Sequence, residues 1–509
     1  MNTLTTKLTL LLLISGHYFA ISQSINSKIV DSITQKPIPY ATILLSNNKG
    51  VISNMEGRFN LNIDKTVSEK DSIFISIMGY ESKAITLKHF KDSIIYLSEK
   101  AIALNDVIVS NKNYTAEEII DLVEDNLEKN YTTNLTKKRV FFRESYRQNF
   151  SKMDYTFVKS SIKELNKAFL DSVIQSVPKI DNRYTEILCD LYGDFSHKKQ
   201  RIHLIKASEL YDKNSEIDLE KLEEKFNKIL KENVKPDSYF KIKSGLFGTK
   251  VSAEDMFDSE EEAASAEALK KELEEKKKRE KQRKTNFALY RRNTMGRLFE
   301  SMFFNKDSKL NFIHKSSRYE FTLQDFTYIG EDPVYVIDFK PKRSSDYRGT
   351  LYINSDDFAV VRVDYSNVKP IRDFSMLGIS FKHYLSKGKM FFSKGENNSY
   401  NLRYFERESG SVAGIRRPLK IIEKNKHVKG RRKQNELSVK LDMAITNINK
   451  YEIVVFNTEN ISSETFDAFK ENNKMLPTYM PSYDASFWKG YNIIEPNQAI
   501  KKFTAQDEL

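Results

Sequence analysis

Metal or hydrolytic chemistry in this chain would have to come from its histidines, its carboxylates or its one cysteine. Behind the N-terminal leader the histidines are His89, His197, His203, His314, His383 and His427. A zinc hydrolase needs His and Glu ligands close in sequence, another His further on, and a Glu to move the proton. No HxxE or HExxH spacing occurs. Only His197 and His203 are near neighbours, and on a Lys- and Arg-rich stretch they read as two exposed imidazoles rather than a shared metal site. Asp356-Asp357 offers a carboxylate pair, but it follows Asn354-Ser355 between two predicted strands, where a solvated turn accounts for it. Arg143-Glu144, inside the apolar run from Arg139 to Phe150, reads as a buried or edge ion pair. Cys189 lies in the apolar stretch Glu186 to Leu191 and reads as a small core residue; with one cysteine no internal disulfide can form. No GxSxG, Ser/His/Asp order or Gly-rich phosphate loop is present. The expectation is therefore no catalytic residue, no metal ligand and no cofactor. Carboxylates brought together only by the fold remain open.

The elements that would position any site are mainly strands. The 509 residues suffice for roughly three domains of about 150 residues each. Aromatic residues make up 12% (Phe 33, Tyr 26), which favours sheets. The formal charge is +12, but 82 basic and 70 acidic residues are interspersed, so the surplus reads as a Lys-rich solvated surface and no nucleic-acid partner is expected.

Residues 1–23 read as an export signal. Lys7 supplies the positive start, Leu8 to Ile14 the apolar core, and Ala20 and Ser22 the small residues of a cleavage site near Ser22 or Gln23. The apolar run is too short to span a bilayer. No cysteine follows it, so no lipoprotein anchor is expected there. The tail Gln506-Asp507-Glu508-Leu509 imitates a retrieval signal, and Asn130-Tyr131-Thr132 and Asn134-Leu135-Thr136 are glycosylation sequons; both read as coincidence.

Residues 24–110 carry short strands with turn punctuation. Asn26 to Val30 leads through Pro37-Ile38-Pro39 into Tyr40 to Leu45, and Asn54-Met55-Glu56-Gly57 turns into Arg58 to Ile63, where Phe59, Leu61 and Ile63 share a face. Ile73 to Ile77 follows, then the Met78-Gly79-Tyr80 turn, two further strands, and Leu104 to Val109. About seven strands at this spacing predict an antiparallel β-sandwich. The order Pro37, Pro39, Tyr40, Ala41, then Gly57 and Phe59, then Gly79 and Tyr80, then Leu104 to Val109 resembles the carboxypeptidase-regulatory-like domain. Asn54 stands where that family often has Asp, and either residue serves the turn. The resemblance implies a transthyretin-like sandwich and a place in the envelope of a Gram-negative bacterium, where such domains precede outer-membrane receptors. The peptidase itself is not implied, because its ligands are missing.

Residues 111–205 are expected to hold a helix and the first strands of a β-rich domain. Thr115 and Glu118 form a capping box, followed by the apolar positions Ile119, Ile120, Leu122, Val123 and Leu127. Residues 206–305 read as a helical, charged insertion: an amphipathic helix from Asp218 to Glu232, an acid-to-base block from Glu254 to Lys284, and a helix or interfacial segment from Ala288 to Phe304. Residues 306–509 carry recurrent strands, predicting a large curved antiparallel sheet or half-barrel. Tyr335 to Lys342, Tyr347 to Asn354 and the ending Tyr483 to Asn492 are similar to the half-barrel of envelope carriers that shelter lipidated proteins, and to uncharacterised β-rich domains that follow the regulatory-like sandwich. The fold class expected is thus mainly β with helical insertions.

The functional expectation is a non-enzymatic exported protein, periplasmic or outer-membrane associated. Its sandwich would bind an envelope protein, and its curved sheet would hold an apolar ligand or partner. The alternatives are an outer-membrane transport or assembly component and a hydrolase with a fold-assembled carboxylate site.

Overall fold

This computed structural model describes residues 23–45, 50–63, 67–91, 93–100, 114–131, 134–235, 237–245, 247–252, 278, 282, 286–329, 332–395, 398–425, 427, 432–471 and 475–505. The leader, the strand expected at Leu104 to Val109, nearly all of the charged block and the last four residues lie outside these. Contacts divide the chain into two units: Met1–Ala101 with Ala485–Asn497, and Ile102–Asp484 with Gln498–Leu509.

In the first unit, alternating apolar residues give strands β1 (Gln23–Asp31), β2 (Thr42–Leu45), β3 (Gly50–Ile52), β4 (Arg58–Ile63), β5 (Ser72–Ser76), β6 (Lys83–Thr86) and β7 (Ile94–Leu97). They form two sheets, ordered β4-β1-β7 and β3-β2-β5-β6. Ile29, Ile43, Leu45, Phe59, Leu61, Ile73, Ile75 and Ile95 are buried, as a period of two requires of strands with one face in a core. The pairings are antiparallel except that of β1 with β7, which is parallel.

The residues singled out in the sequence are turn and core parts. Pro37 bridges Val30, and Phe59 and Ala41 are buried. Tyr40 precedes β2 rather than belonging to it. Its φ is 62°, held by its own N–H on Ser53 O (3.0 Å) and by Ala41 N–H on Ser53 Oγ (2.9 Å). Gly57 has φ 72°, and a Cβ there would lie 2.4 Å from Ile29 O, so the position accepts no side chain. Gly79 turns at φ 77°, and Tyr80 bridges Glu99. Burial, then its hydrogen bond with Asp31, pushes the Tyr80 phenol up to about 12. A stretch from the far end of the sequence completes this unit. Asn62 N–H donates to Asn492 Oδ1 (2.8 Å), the Asn62 amide donates to Tyr491 O (2.6 Å), and the Asn54 amide donates to Pro496 O (3.4 Å).

The second unit is built on one open, curved sheet, 14-stranded among the described residues. Its early strands are β8 (Thr136–Ser160), β9 (Ile180–Gly193), β10 (Gln200–Leu210), β11 (Ser238–Ser244) and β12 (Phe247–Ser252). The later ones are β13 (Tyr319–Ile329), β14 (Asp332–Pro341), β15 (Tyr347–Asn354), β16 (Val360–Asn367), β17 (Arg372–Met376), β18 (Ile379–Lys394), β19 (Tyr400–Asn425), β20 (Lys433–Asn460) and β21 (Thr478–Met480). The main path runs β13-β14-β15-β16-β18-β19-β20-β8-β9-β10-β21, with β17 on β18 and the β11–β12 hairpin on β19. The sequence pattern suggests breaks near Ser409 to Gly414 and near Asn449; instead β19 and β20 run through, because each is paired on both sides. The helices are α1 (Ala116–Asn130), α2 (Lys167–Ser176), α3 (Asn214–Asn233), α4 (residues 286–300), α5 (Ser463–Ala468) and α6 (Gln498–Lys501). The capping box of α1 is formed, with Thr115 Oγ1 accepting from Glu118 N–H and Glu118 Oε2 from Thr115 N–H. Helix α2 stands where the sequence reads as strand; Asn166 caps it by accepting from Phe169 N–H (3.0 Å).

One face of the sheet carries the largest apolar cluster. Ile119 and Val123 of α1, Met295 and Phe299 of α4, and Phe303 and Phe312 beyond it pack with Phe142, Cys189, Ile337, Leu351 and Val363. Each such side chain contributes about 1.5–3 kcal/mol when fully buried. Glu300 fixes the end of α4, accepting from His197 N–H (2.9 Å) and pairing with His197 Nδ1 (2.5 Å).

Candidate functional site

Strand β8 passes an arginine and a glutamate, Arg143 and Glu144, through the middle of the second unit. Successive residues of a strand face opposite sides, so the pair foreseen between these two does not form. Each meets other partners.

Arg143 is 1% exposed. Its Nε donates to Glu186 Oε1 of β9 (2.6 Å), and its Nη1 lies 3.6 Å from Glu452 Oε2 of β20. Both are its direct cross-strand neighbours. Lys450 then joins Glu452 (3.3 Å) to Glu406 of β19 (3.0 Å), and Tyr404 donates to Glu406 (2.9 Å). Burial alone would push the Glu452 carboxyl up, but Lys450 and Arg143 beside it hold it below the ordinary glutamate value. Burial likewise works against the charges of Lys450 and Arg143, and the facing carboxylates outweigh it. The cluster spans four adjacent strands and pairs its charges across their register, which a one-residue slip would break.

Glu144 faces the other way, toward α4. Its Oε2 lies 3.6 Å from Arg291 Nε, and neither atom has a hydrogen-bond partner. Arg291 also lies 3.6 Å from Glu209 Oε1 of β10 and donates to Thr185 Oγ1 (3.0 Å). Burial pushes the Glu144 carboxyl up, against the pull of Arg291 and of hydrogen bonds from Tyr290 and Tyr451. Burial, then Glu144, pushes the Tyr451 phenol up as well. This group borders a cavity of about 780 Å³ whose wall is rich in phenols and charges, among them Tyr146, Arg183, Tyr211 and Lys213. A second cavity of about 470 Å³ shares Glu209, Tyr290 and Arg291 and adds Phe287, Leu476 and Pro477. Arg183 is pinned by Asp181 (2.8 Å) and lies over the Tyr211 ring (5.3 Å), and Lys213 lies over the Tyr479 ring (3.7 Å). Such a wall can hydrogen-bond, stack and neutralise either sign of charge.

The residues weighed for chemistry in the sequence lie elsewhere. Asn354 Oδ1 accepts from Asp356 N–H (2.8 Å), and the Asp357 carboxylate accepts from Lys394 Nζ (2.9 Å) and from the Tyr400 hydroxyl (3.1 Å). This is the turn the sequence suggests. His197 is engaged by Glu300, whereas His203 sits on β10 opposite Asp190. Cys189 is buried, and burial pushes its thiol well up. Among the described residues no group of three His, Cys, Asp or Glu could hold a metal ion. The cavity group escaped the sequence because Glu144, Glu209, Arg291 and Tyr451 are scattered over some three hundred positions. The one available signal was a charged pair inside an apolar strand.

Comparison with known proteins identifies the first unit. Residues 25–109 match the model of the CarboxypepD_reg-like domain, and a β-rich region follows it. No curated protein matches the chain. Among solved structures, a DUF1329 family protein from Desulfovibrio piger aligns at 9% identity and a TM-score of 0.18, over 70% of this chain and 98% of that one. The Pseudomonas aeruginosa MucA/MucB complex aligns at 6% identity and a TM-score of 0.17, over 65% of this chain and 93% of that one. Scores this low leave the architecture to be argued from the strands themselves.

Proposed function

We propose that this is a non-enzymatic exported protein of the bacterial envelope whose second unit binds a polar ligand or partner segment at the Glu144–Arg291 cavity. The sandwich serves as its interaction module. Export rests on the Lys7 to Ser22 signal pattern. Among the described residues no helix is long and apolar enough to cross a membrane. The observation that carries the reading is how the sheet's apolar face is used. The sequence pattern leaves the curved sheet free for an apolar ligand or partner, yet α1, α4 and the segment through Ile313 pack there. The space left over is walled by Arg, Glu and Tyr. A ligand carrying both hydrogen-bonding groups and a charge suits that wall, since it can exchange with the Glu144–Arg291 contact instead of stranding it.

The test is mass spectrometry of the chain purified without detergent, first native and then denatured. The expected result is a water-soluble adduct that is absent from Arg291→Ala and Glu144→Gln. A co-purifying lipid retained by both variants would overturn the reading. A second reading, a hydrolase, draws on the raised Glu144 carboxyl beside the cavity. It requires turnover of a glycoside or ester that Glu144→Gln abolishes.

A further inference from the structure

Strands β17 and β18 form a hairpin whose residues 372–380 are all exposed. Phe374 pairs with Phe381 and Met376 with Ile379 across it. The two-residue period puts these four on one side of the ribbon, and Asp373, Ser375, Ser380 and Lys382 on the other. Phe374 is 45%, Met376 55%, Leu377 53% and Ile379 43% exposed. The turn itself is Leu377-Gly378, with φ of 50° and 76°. Asn-Gly or Asp-Gly would make this turn without strain, whereas leucine is held there in the left-handed region. The backbone therefore bears a local cost in presenting an apolar side chain at the tip.

The tip does not stand alone. Arg416 N–H donates to Gly378 O (2.7 Å), and the Arg416 side chain is 84% exposed, with its Nε 3.6 Å from Asp442 Oδ2 at a range that a phosphate can compete for. A Cβ on Gly378 would lie 3.0 Å from Arg417 Cγ, so Arg417 backs the turn. The Arg417 guanidinium in turn lies over the ring of Phe247 (5.1 Å), an exposed residue at the tip of the β11–β12 hairpin. Arg372 and Lys382 flank the base of the hairpin, Lys382 beside Asp373 (3.2 Å). Two apolar tips thus meet at a pair of arginines. From Phe374 to the turn the ribbon rises about 10 Å, at about 3.3 Å per residue. That is the depth to which interfacial segments bury their apolar side, about 5–10 Å.

We propose that this hairpin, with Phe247 beside it, docks the protein on an anionic lipid surface. Phe374, Met376, Leu377 and Ile379 enter the headgroup–acyl boundary, and Arg416, Arg372 and Lys382 meet lipid phosphates. Exposed apolar side chains at a tip flanked by exposed, loosely paired cations fit such a surface. The inference does not depend on the Glu144–Arg291 cavity, so either can fail alone.

The test is co-sedimentation of the exported form of the chain, from Ser24, with vesicles of phosphatidylcholine alone or mixed with phosphatidylglycerol. The expected result is pelleting with the anionic vesicles only. Met376→Ser/Leu377→Ser should weaken it on the order of tenfold or more, and Arg416→Glu by less, with a stronger salt dependence in the parent. These side chains are exposed, so unchanged circular dichroism and melting will separate docking from folding. Cys189 is buried, so a dye on Leu377→Cys reports the tip alone and should shift to the blue on vesicle addition. No pelleting with anionic vesicles, equal pelleting of the double variant, or a tip-dependent dimer by light scattering with no vesicle binding would each overturn the proposal.

Discussion

Arg143 and Glu144 are neighbours on one strand, yet the groups around them differ in kind. Around Arg143, two cations and three carboxylates close on one another at 2.6–3.6 Å. Around Glu144, the nearest cation stands 3.6 Å away, two facing atoms lack hydrogen bonds, and cavities lie alongside. A satisfied network has nothing to offer a ligand. A loosely paired one beside open space can exchange its contacts at small cost. The same residue types therefore pair across strands on one face and, on the proposed reading, are left to meet a ligand on the other.

The largest expected effect comes from cutting the closed side. Arg143→Met removes the cation beside the buried Glu186 and one of the two beside Glu452, whose other is Lys450, and should cost about 3–5 kcal/mol, read as a lower melting midpoint. Arg291→Met should cost less than Arg143→Met, because Arg291 Nε stands 3.6 Å from Glu144 without a hydrogen bond and the raised Glu144 carboxyl can take a proton, while abolishing adduct formation. Equal losses would break the comparison.

Lys138, a third charge on the same strand, sharpens it. It is 3% exposed, contacts Thr136 Oγ1, and lies 4.8 Å from the Phe195 ring. Burial, opposed by Asp194, brings its ammonium down to about 8. A lysine whose folded value falls below its unfolded value of 10.5 destabilises the fold at neutral pH, and this is relieved as pH rises from about 8 toward 10.5. Lys138→Met should therefore gain about 2 kcal/mol at neutral pH, with the gain shrinking in alkali, followed by thermal melts across that window.

The smallest effect is a contrast of sign. Glu452, held low, contributes stability above the ordinary glutamate value of 4.5 that is lost as pH falls through its folded value. Glu144, held high, contributes stability that is full below 4.5 and is lost as pH rises through its folded value. Glu144→Gln should thus melt slightly above the parent at neutral pH and level with it in acid. A variant that instead melts below the parent at neutral pH, with the gap closing in acid, would show that the Glu144–Arg291 pair holds the fold.

Much of the fold was legible because local periodicity carries it. The β1–β7 sandwich followed from alternation and from Gly57, and α1 from Thr115 and Glu118. Helix α2 was missed because its apolar residues sit among strands and its signal is one capping asparagine, Asn166. The continuity of β19 over 26 residues was hidden by Gly410 and Gly414, and that of β20 over 28 residues by the polar Asn449-Lys450; pairing on both edges offsets the local cost in each. The candidate site was illegible for a related reason: spacing reveals a site only when its residues share one element.

The sequence alone determined the strand-rich class, the turn chemistry of Pro37, Gly57 and Gly79, the capping of α1, and the identity of the regulatory-like domain, because each depends on residues a few positions apart. Only the tertiary structure decided that Asn54 and Asn62 meet Tyr491 to Pro496, that α4 packs against the sheet's apolar face, and that Arg143 and Glu144 part company. Those outcomes depend on which distant strand lies beside which. That is set by burying the whole apolar surface at once, a quantity no short window of sequence contains.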